Sequence, residues 1–84
     1  MATLNYVGQT AQSVSVSYID MPAGAALIFH NETSGADTPA PDGALAAGSG
    51  SAEVAIPNLR GGQYRLRAQA GKQRLAETVV FYIN

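Results

Sequence analysis

Strict alternation of apolar and polar residues is the feature that most constrains how this chain folds. In residues 13–19, Val14, Val16 and Tyr18 alternate with three serines. Successive side chains of a β-strand point to opposite faces, so the pattern predicts a strand with one buried and one solvated face, as in antiparallel sheets. The same alternation recurs in residues 51–56 and 63–69. The chain therefore belongs to the all-β class.

Three less regular segments also read as strands, and turn chemistry separates them. They cover residues 3–7, 25–30 and 77–83, and Gly- or Pro-containing turns fall at 20–24, 57–62 and 70–73. Proline favours turns because its ring fixes the φ angle that turns use, and glycine favours them because it reaches φ angles that other residues avoid. Residues 31–50 have no clean period, which predicts a long loop with at most one short edge strand near 44–47.

Six or seven short strands in 84 residues, with turn signals between them, favour one small antiparallel β-sandwich domain over residues 1–84. A small closed barrel is the main alternative. A chain of this length buries one core and no more. The absence of cysteine excludes a disulfide, a thiolate metal site and a cysteine nucleophile.

A motif before the strand at 63–69 narrows the fold further. Leu59, Gly62, Tyr64, Leu66 and Ala68 follow the spacing L-x-x-G-x-Y-x-L-x-A. This resembles the tyrosine corner of immunoglobulin-like and fibronectin type III-like domains. The resemblance implies an immunoglobulin-like sandwich in which the Tyr64 hydroxyl bonds backbone within residues 58–62. It also implies that Leu59 fills the core beneath the corner and that Gly62 makes the turn.

All the basic side chains lie within residues 60–74, whereas residues 1–59 carry five acids and no base. The basic residues are Arg60, Arg65, Arg67, Lys72 and Arg74. Alternation places Arg65 and Arg67 on the outer face of one strand, where outward residues contribute within about 0.5 kcal/mol to stability. Two interpretations stay open. Either the bases form a solvated face partly neutralised by Glu77 or Glu53, or they form a positive stripe that docks onto an acidic partner or phosphate.

The C-terminal segment 79–83 is apolar on both faces of its predicted strand. Val79, Phe81 and Ile83 fall on one face, and Val80 and Tyr82 on the other. A strand with one solvated face should alternate, so we expect both faces to be covered. The second cover is either the 31–50 loop or another chain, which could be a second copy of this one.

Candidate catalytic and metal-binding residues are sparse. His30 is the sole histidine, and Glu32, Asp37 and Asp42 are the carboxylates of segment 31–50. A metal site or general base needs convergent partners, and the carboxylate spacing matches no calcium loop. The sequence therefore predicts no cofactor, no metal and no enzymatic activity.

These observations predict a non-catalytic interaction module that docks on a larger protein assembly. A domain of this kind resembles the accessory or decoration proteins of bacteriophage virions. No signal peptide or membrane span is evident, which predicts synthesis in the cytoplasm and no membrane partner. The alternative is a carbohydrate- or cell-surface-binding accessory domain of a secreted bacterial protein, which the lack of Trp disfavours. Nucleic acid is an unlikely partner, because aromatics do not interleave with the outward bases.

Overall fold

The computed structural model describes residues 2–84, apart from the side chains of 42–44, and over that range the chain forms eight β-strands. The strands are β1 (Thr3–Gln9), β2 (Ser13–Met21), β3 (Ala26–Asn31), β4 (Asp37–Ala44), β5 (Gly48–Ala55), β6 (Gly62–Ala70), β7 (Gln73–Glu77) and β8 (Phe81–Ile83). No helix of the described residues is long and apolar enough to cross a membrane.

The strands form two antiparallel sheets that pack as a sandwich. One sheet has the order β1-β2-β5, and the other has the order β4-β3-β6-β7 with β8 also paired to β6. At one side of the sandwich β1 lies beside β7, and at the opposite side β4 lies beside β5. The predicted all-β sandwich is confirmed, and the closed barrel is not formed.

The core lies between the sheets and is filled by the alternating apolar residues. Val14 and Val16 of β2 face Phe29 of β3 and Leu66 of β6, and all four are fully buried. Burying an aliphatic or aromatic side chain of this size stabilises a fold by roughly 1.5–3 kcal/mol. The period-2 pattern thus encodes the core directly.

The predicted loop over 31–50 is wrong, because most of this segment is strand. β4 runs along β3 at an edge of its sheet and contains Pro39 and Pro41. Proline has no N–H to donate, but an edge strand has a neighbour on one side only, so the prolines are tolerated there. The edge strand expected near 44–47 lies earlier, and Leu45 beyond it is buried. The strand count therefore exceeds six or seven.

The C-terminal segment 77–83 is two strands rather than one. β7 begins at Gln73, inside the predicted turn, and ends at Glu77, and β8 begins at Phe81. Phe81 and Ile83 are buried, as the alternation predicts, but Val79 is 68% exposed instead of sharing their face. The break between the strands shifts the alternation, so Val79 turns outward.

Thr78 causes that break. Its N–H donates to the Leu66 carbonyl over 2.9 Å, and its hydroxyl accepts the Leu66 N–H over 3.1 Å. The same hydroxyl donates to the Val79 carbonyl over 2.9 Å. The side chain thus takes a bond that a backbone carbonyl of the last strand would otherwise accept, which separates β7 from β8.

Candidate functional site

The crossover from β5 to β6 is fixed by Tyr64. Its side chain is buried, and its hydroxyl donates a 2.7 Å hydrogen bond to the Arg60 carbonyl. This confirms the bond predicted within residues 58–62. Leu59 is half-buried and packs against the core, and Gly62 is the first residue of β6. A Cβ on Gly61 would lie 3.2 Å from the Ile83 carbonyl oxygen, so glycine there lets the crossover pass close to β8.

Charged side chains from four strands and the β3–β4 turn converge on the outer face of the five-stranded sheet. The register pairs His30 with Arg65 and with Asp37, and it pairs Arg67 with Glu77. We call this cluster the charged face, and its members are His30, Glu32, Asp37, Arg65, Arg67, Arg74 and Glu77. Its three arginines balance its three carboxylates, so with a neutral histidine it has no net charge.

Glu77 and Glu32 hold the more exposed arginines. Arg65 Nε donates to Glu32 Oε1, and its NH1 lies 3.8 Å from Glu77 Oε2. Arg74 NH1 lies 2.9 Å from Glu77 Oε1. The predicted neutralisation by Glu77 therefore occurs. Glu53 has no such role, because its carboxylate accepts a 2.7 Å hydrogen bond from the Ser13 hydroxyl on the other sheet.

Arg67 is outward, as predicted, but it is only 9% exposed. Its guanidinium lies between two carboxylates, 3.8 Å from Asp37 Oδ2 and 3.9 Å from Glu77 Oε2. Its Nε is buried and has no hydrogen-bond partner among the described residues. The expectation that position 67 is a freely solvated site is wrong, because Glu77 of the neighbouring β7 and Asp37 of β4, one strand beyond β3, reach over it.

The basic residues do not form one continuous stripe. Three of them belong to the charged face, and among the described residues Arg60 and Lys72 have no ion pair. Arg60 precedes β6 and Lys72 follows it. A nine-residue strand spans about 30 Å at 3.3 Å per residue, so the two unpaired bases lie at opposite ends of the domain.

His30 has two carboxylate neighbours that the sequence did not reveal. Its Nδ1 lies 2.6 Å from Asp37 Oδ1, and its Nε2 lies 3.6 Å from Glu32 Oε2. Asp37 reaches it because β4 pairs with β3, where a loop was predicted. The two ring nitrogens face different carboxylates, and the described residues contain no group of three potential ligands arranged to hold a metal ion. The side chain of Asp42 lies outside the described residues.

Four exposed apolar residues lie on two adjoining segments near the charged face. Val79, Val80 and Tyr82 of the C-terminal segment are 68%, 40% and 60% exposed, and Val7 of the adjoining β1 is 64% exposed. We call these four residues the apolar patch. The segment 31–50 does not cover Val80 and Tyr82, so that alternative is wrong, and coverage by another chain stays a prediction.

Two contacts hold the segments of the apolar patch together. The Tyr6 ring stacks on Phe81 with a centroid separation of 5.1 Å. Gln9 Nε2 donates to the Tyr82 carbonyl over 2.8 Å. These contacts join β1 to β8 at one side of the sandwich, so Val7 lies on a segment adjoining that of Tyr82. The patch is therefore presented by a fixed part of the fold.

Comparison of the chain with protein-family models, curated proteins and solved structures finds no match. The class of protein is therefore defined by its own architecture, a small antiparallel β-sandwich of two sheets.

Proposed function

We propose that this protein is a non-catalytic interaction module that docks on a larger protein assembly through the apolar patch. The observation that carries the proposal is the exposure of Val79, Val80 and Tyr82 on a segment that adjoins β1, where Val7 is also exposed. Isolated exposed apolar residues are ordinary, but large ones gathered on adjoining segments are typical of protein contact sites. Tyrosine is enriched among the residues that dominate binding energy at such sites.

The charged face and Arg60 supply the polar surroundings that an interface of this kind needs. Tyr82 pairs with Gln63 on β6, and Arg65 lies two residues further along the same outer face. Arg60 lies at the neighbouring crossover, which the close approach of Gly61 to Ile83 places against β8. A polar rim around an apolar centre is the usual anatomy of a protein interface. In this proposal the apolar centre provides most of the affinity, and the charges select the partner.

Strand order supports the finer proposal of an immunoglobulin-like domain. The strands β1, β2 and β5 form one sheet against β3, β6 and β7, as strands A, B and E face C, F and G in that class. β4 pairs with β3 at the edge of the second sheet. The corner tyrosine, Tyr64, lies on β6, the strand equivalent to F. An accessory or decoration protein of a bacteriophage virion is the assembly member that we propose.

The alternative is a carbohydrate- or cell-surface-binding module. Sugar-binding sandwiches generally stack their ligand on exposed aromatic rings. Among the described residues of this chain, Tyr82 is the one exposed aromatic. A single ring flanked by Val79 and Val80 fits a protein contact better than a sugar platform. Val80 and Tyr82 therefore favour the docking proposal.

Site-specific cross-linking in the organism that produces the protein tests the proposal. A photoreactive residue at position 82 should give one reproducible cross-linked protein that belongs to a large assembly. The matched control is the same residue at position 19, because Ile19 is also exposed, at 49%, but lies on the other sheet. Equal cross-linking at both positions, or none at position 82, would overturn the proposal. Cross-linking to glycan rather than protein would favour the alternative.

A further inference from the structure

Three of the four sheet edges carry features that block the addition of another strand. Free edges invite pairing with other chains, and proteins protect them with prolines, bulges, charges or covering groups. β4 has Pro39 and Pro41 and an irregular register with β3. β1 has a bulge between Tyr6 and Gly8. The β7–β8 edge is interrupted at Thr78 and is tied to β1 by the Gln9–Tyr82 bond.

The fourth edge, β5, is the least protected, although its register with β2 shifts between Gly50 and Gly48, Glu53 carries a charge and β4 lies beside it. It pairs with β2 in an unbroken register from Gly50 to Ala55, and it contains no proline and no basic residue. Six of its eight residues are exposed. Among the described residues, no backbone hydrogen bond reaches β5 from the side away from β2. Alternate N–H and C=O groups of β5 are therefore available to a new strand.

We propose that β5 accepts an extended segment of a partner protein as an added strand of the β1-β2-β5 sheet. Strand addition of this kind obtains affinity from main-chain hydrogen bonds and specificity from the alternate side chains of the incoming segment. The unpaired edge of β5 can supply the main-chain hydrogen bonds. The side chains of β5 determine which incoming segment is preferred.

The side chains of β5 indicate a basic, alternating segment. Glu53 is exposed and projects on the outer face beside Ser13 and Ser15, and the three strands of this sheet contain no Lys or Arg. A Lys or Arg on the incoming strand would find its opposite charge there. On the inner face Ala52 is small and half-buried, so an apolar side chain of the partner would extend the core over it.

A second copy of this chain fits β5 less well. Residues 48–55 contain no base, so no register of β5 against itself supplies a cation to Glu53. Charge complementarity therefore selects a different, basic partner over self-pairing.

This site is independent of the apolar patch. β5 lies beside β4 at one side of the sandwich, whereas the apolar patch lies where β1 meets β7 and β8 at the opposite side. The test of strand addition at β5 is therefore independent of the cross-linking test at position 82. If both sites are used, the module links two partners.

Amide hydrogen exchange with synthetic peptides tests the proposal. The probe is an end-capped eight-residue peptide of alternating valine and lysine, VKVKVKVK. With free peptide about tenfold above its Kd, alternate amides of residues 48–55 should exchange about tenfold more slowly, because only the unbound protein exchanges. Amides of β4 should be unaffected, since its prolines protect that edge.

Two controls separate strand pairing from charge attraction. The same peptide with every main-chain nitrogen methylated keeps its charge but loses all main-chain donors, and it should give no protection. The acidic peptide VEVEVEVE should also fail on the native chain but should protect residues 48–55 of the Glu53→Lys variant, which should no longer respond to the lysine peptide. Equal protection by the N-methylated peptide, protection at another edge, or no protection would overturn the proposal. Protection that rises with protein concentration in the absence of peptide would instead establish self-pairing and overturn it.

Discussion

The Tyr64 hydroxyl donates a 2.7 Å hydrogen bond to the Arg60 carbonyl, four residues earlier in the chain. The tyrosine is only 3% exposed, so water cannot readily replace the bond if it is lost. The contact ties the β5–β6 crossover to β6 and holds Gly61 against the backbone at Ile83. One hydroxyl thereby links the crossover to the strand that presents Tyr82.

Replacing Tyr64 with Phe should lower the free energy of unfolding by about 0.5–1.5 kcal/mol, since the mutation removes one buried hydrogen bond and leaves the ring in place. Chemical denaturation of the two proteins measures the difference. Tyr82→Phe is the matched control, because Tyr82 is 60% exposed and its loss of a hydroxyl should stay within about 0.5 kcal/mol. Equal losses in the two variants would contradict a structural role for the Tyr64 bond.

The sequence predicted those strands whose own residues show a regular alternation or a recognisable motif. Alternation gave the inward faces of β2 and β6, and the spacing of Leu59, Gly62 and Tyr64 predicted the corner bond. β4 was missed because its prolines and glycine disfavour a strand locally. Pairing with β3 supplies the hydrogen bonds that stabilise β4. The residues of β4 do not by themselves indicate which strand they pair with.

The charged face was predicted only in part for the same reason. Alternation placed Arg65 and Arg67 outward, and Glu77 was expected to neutralise them. The contacts of Asp37 with His30 and Arg67 depend on β4 lying beside β3, so they could not be inferred from a predicted loop. Burial of Arg67 likewise depends on strands flanking β6 on both sides.

Arg67→Gln should therefore destabilise the fold, contrary to what an outward position suggests. The change leaves Glu77, whose side chain is 20% exposed, and Asp37, whose side chain is 46% exposed, without one of their cations. The change also removes the unpaired Nε, which offsets part of the cost. We therefore expect the free energy of unfolding to fall by about 1–3 kcal/mol, less than is usual when a fully buried ion pair is broken. Thermal and chemical denaturation measure the loss. Arg60→Gln is the control, and an Arg67 variant as stable as this control would show that the ion pairs contribute nothing.

Zinc or calcium at millimolar concentration should leave the melting temperature unchanged. The two nitrogens of His30 face separate carboxylates, and Arg65 and Arg67 already neutralise those carboxylates. A ligand that bound the folded state would raise its stability by mass action, so a thermal melt with and without metal is a sensitive test. A rise in melting temperature that His30→Ala abolishes would show that the charged face is a metal site.

Thr78→Val should destabilise the C-terminal strands and alter the apolar patch. Valine keeps the shape of threonine but cannot accept the Leu66 N–H or donate to the Val79 carbonyl. Since Thr78 is only 2% exposed, the unpaired donor should lower the free energy of unfolding by about 1–3 kcal/mol. Amide exchange should show the opening concentrated in residues 78–83, because β8 is only three residues long. Thr78→Ser is the matched control: it retains the hydroxyl and loses one methyl group, so it should preserve the slow exchange of the Leu66 amide. Fast Leu66 exchange in both variants would mean that the methyl group, rather than the hydroxyl, maintains the break between β7 and β8.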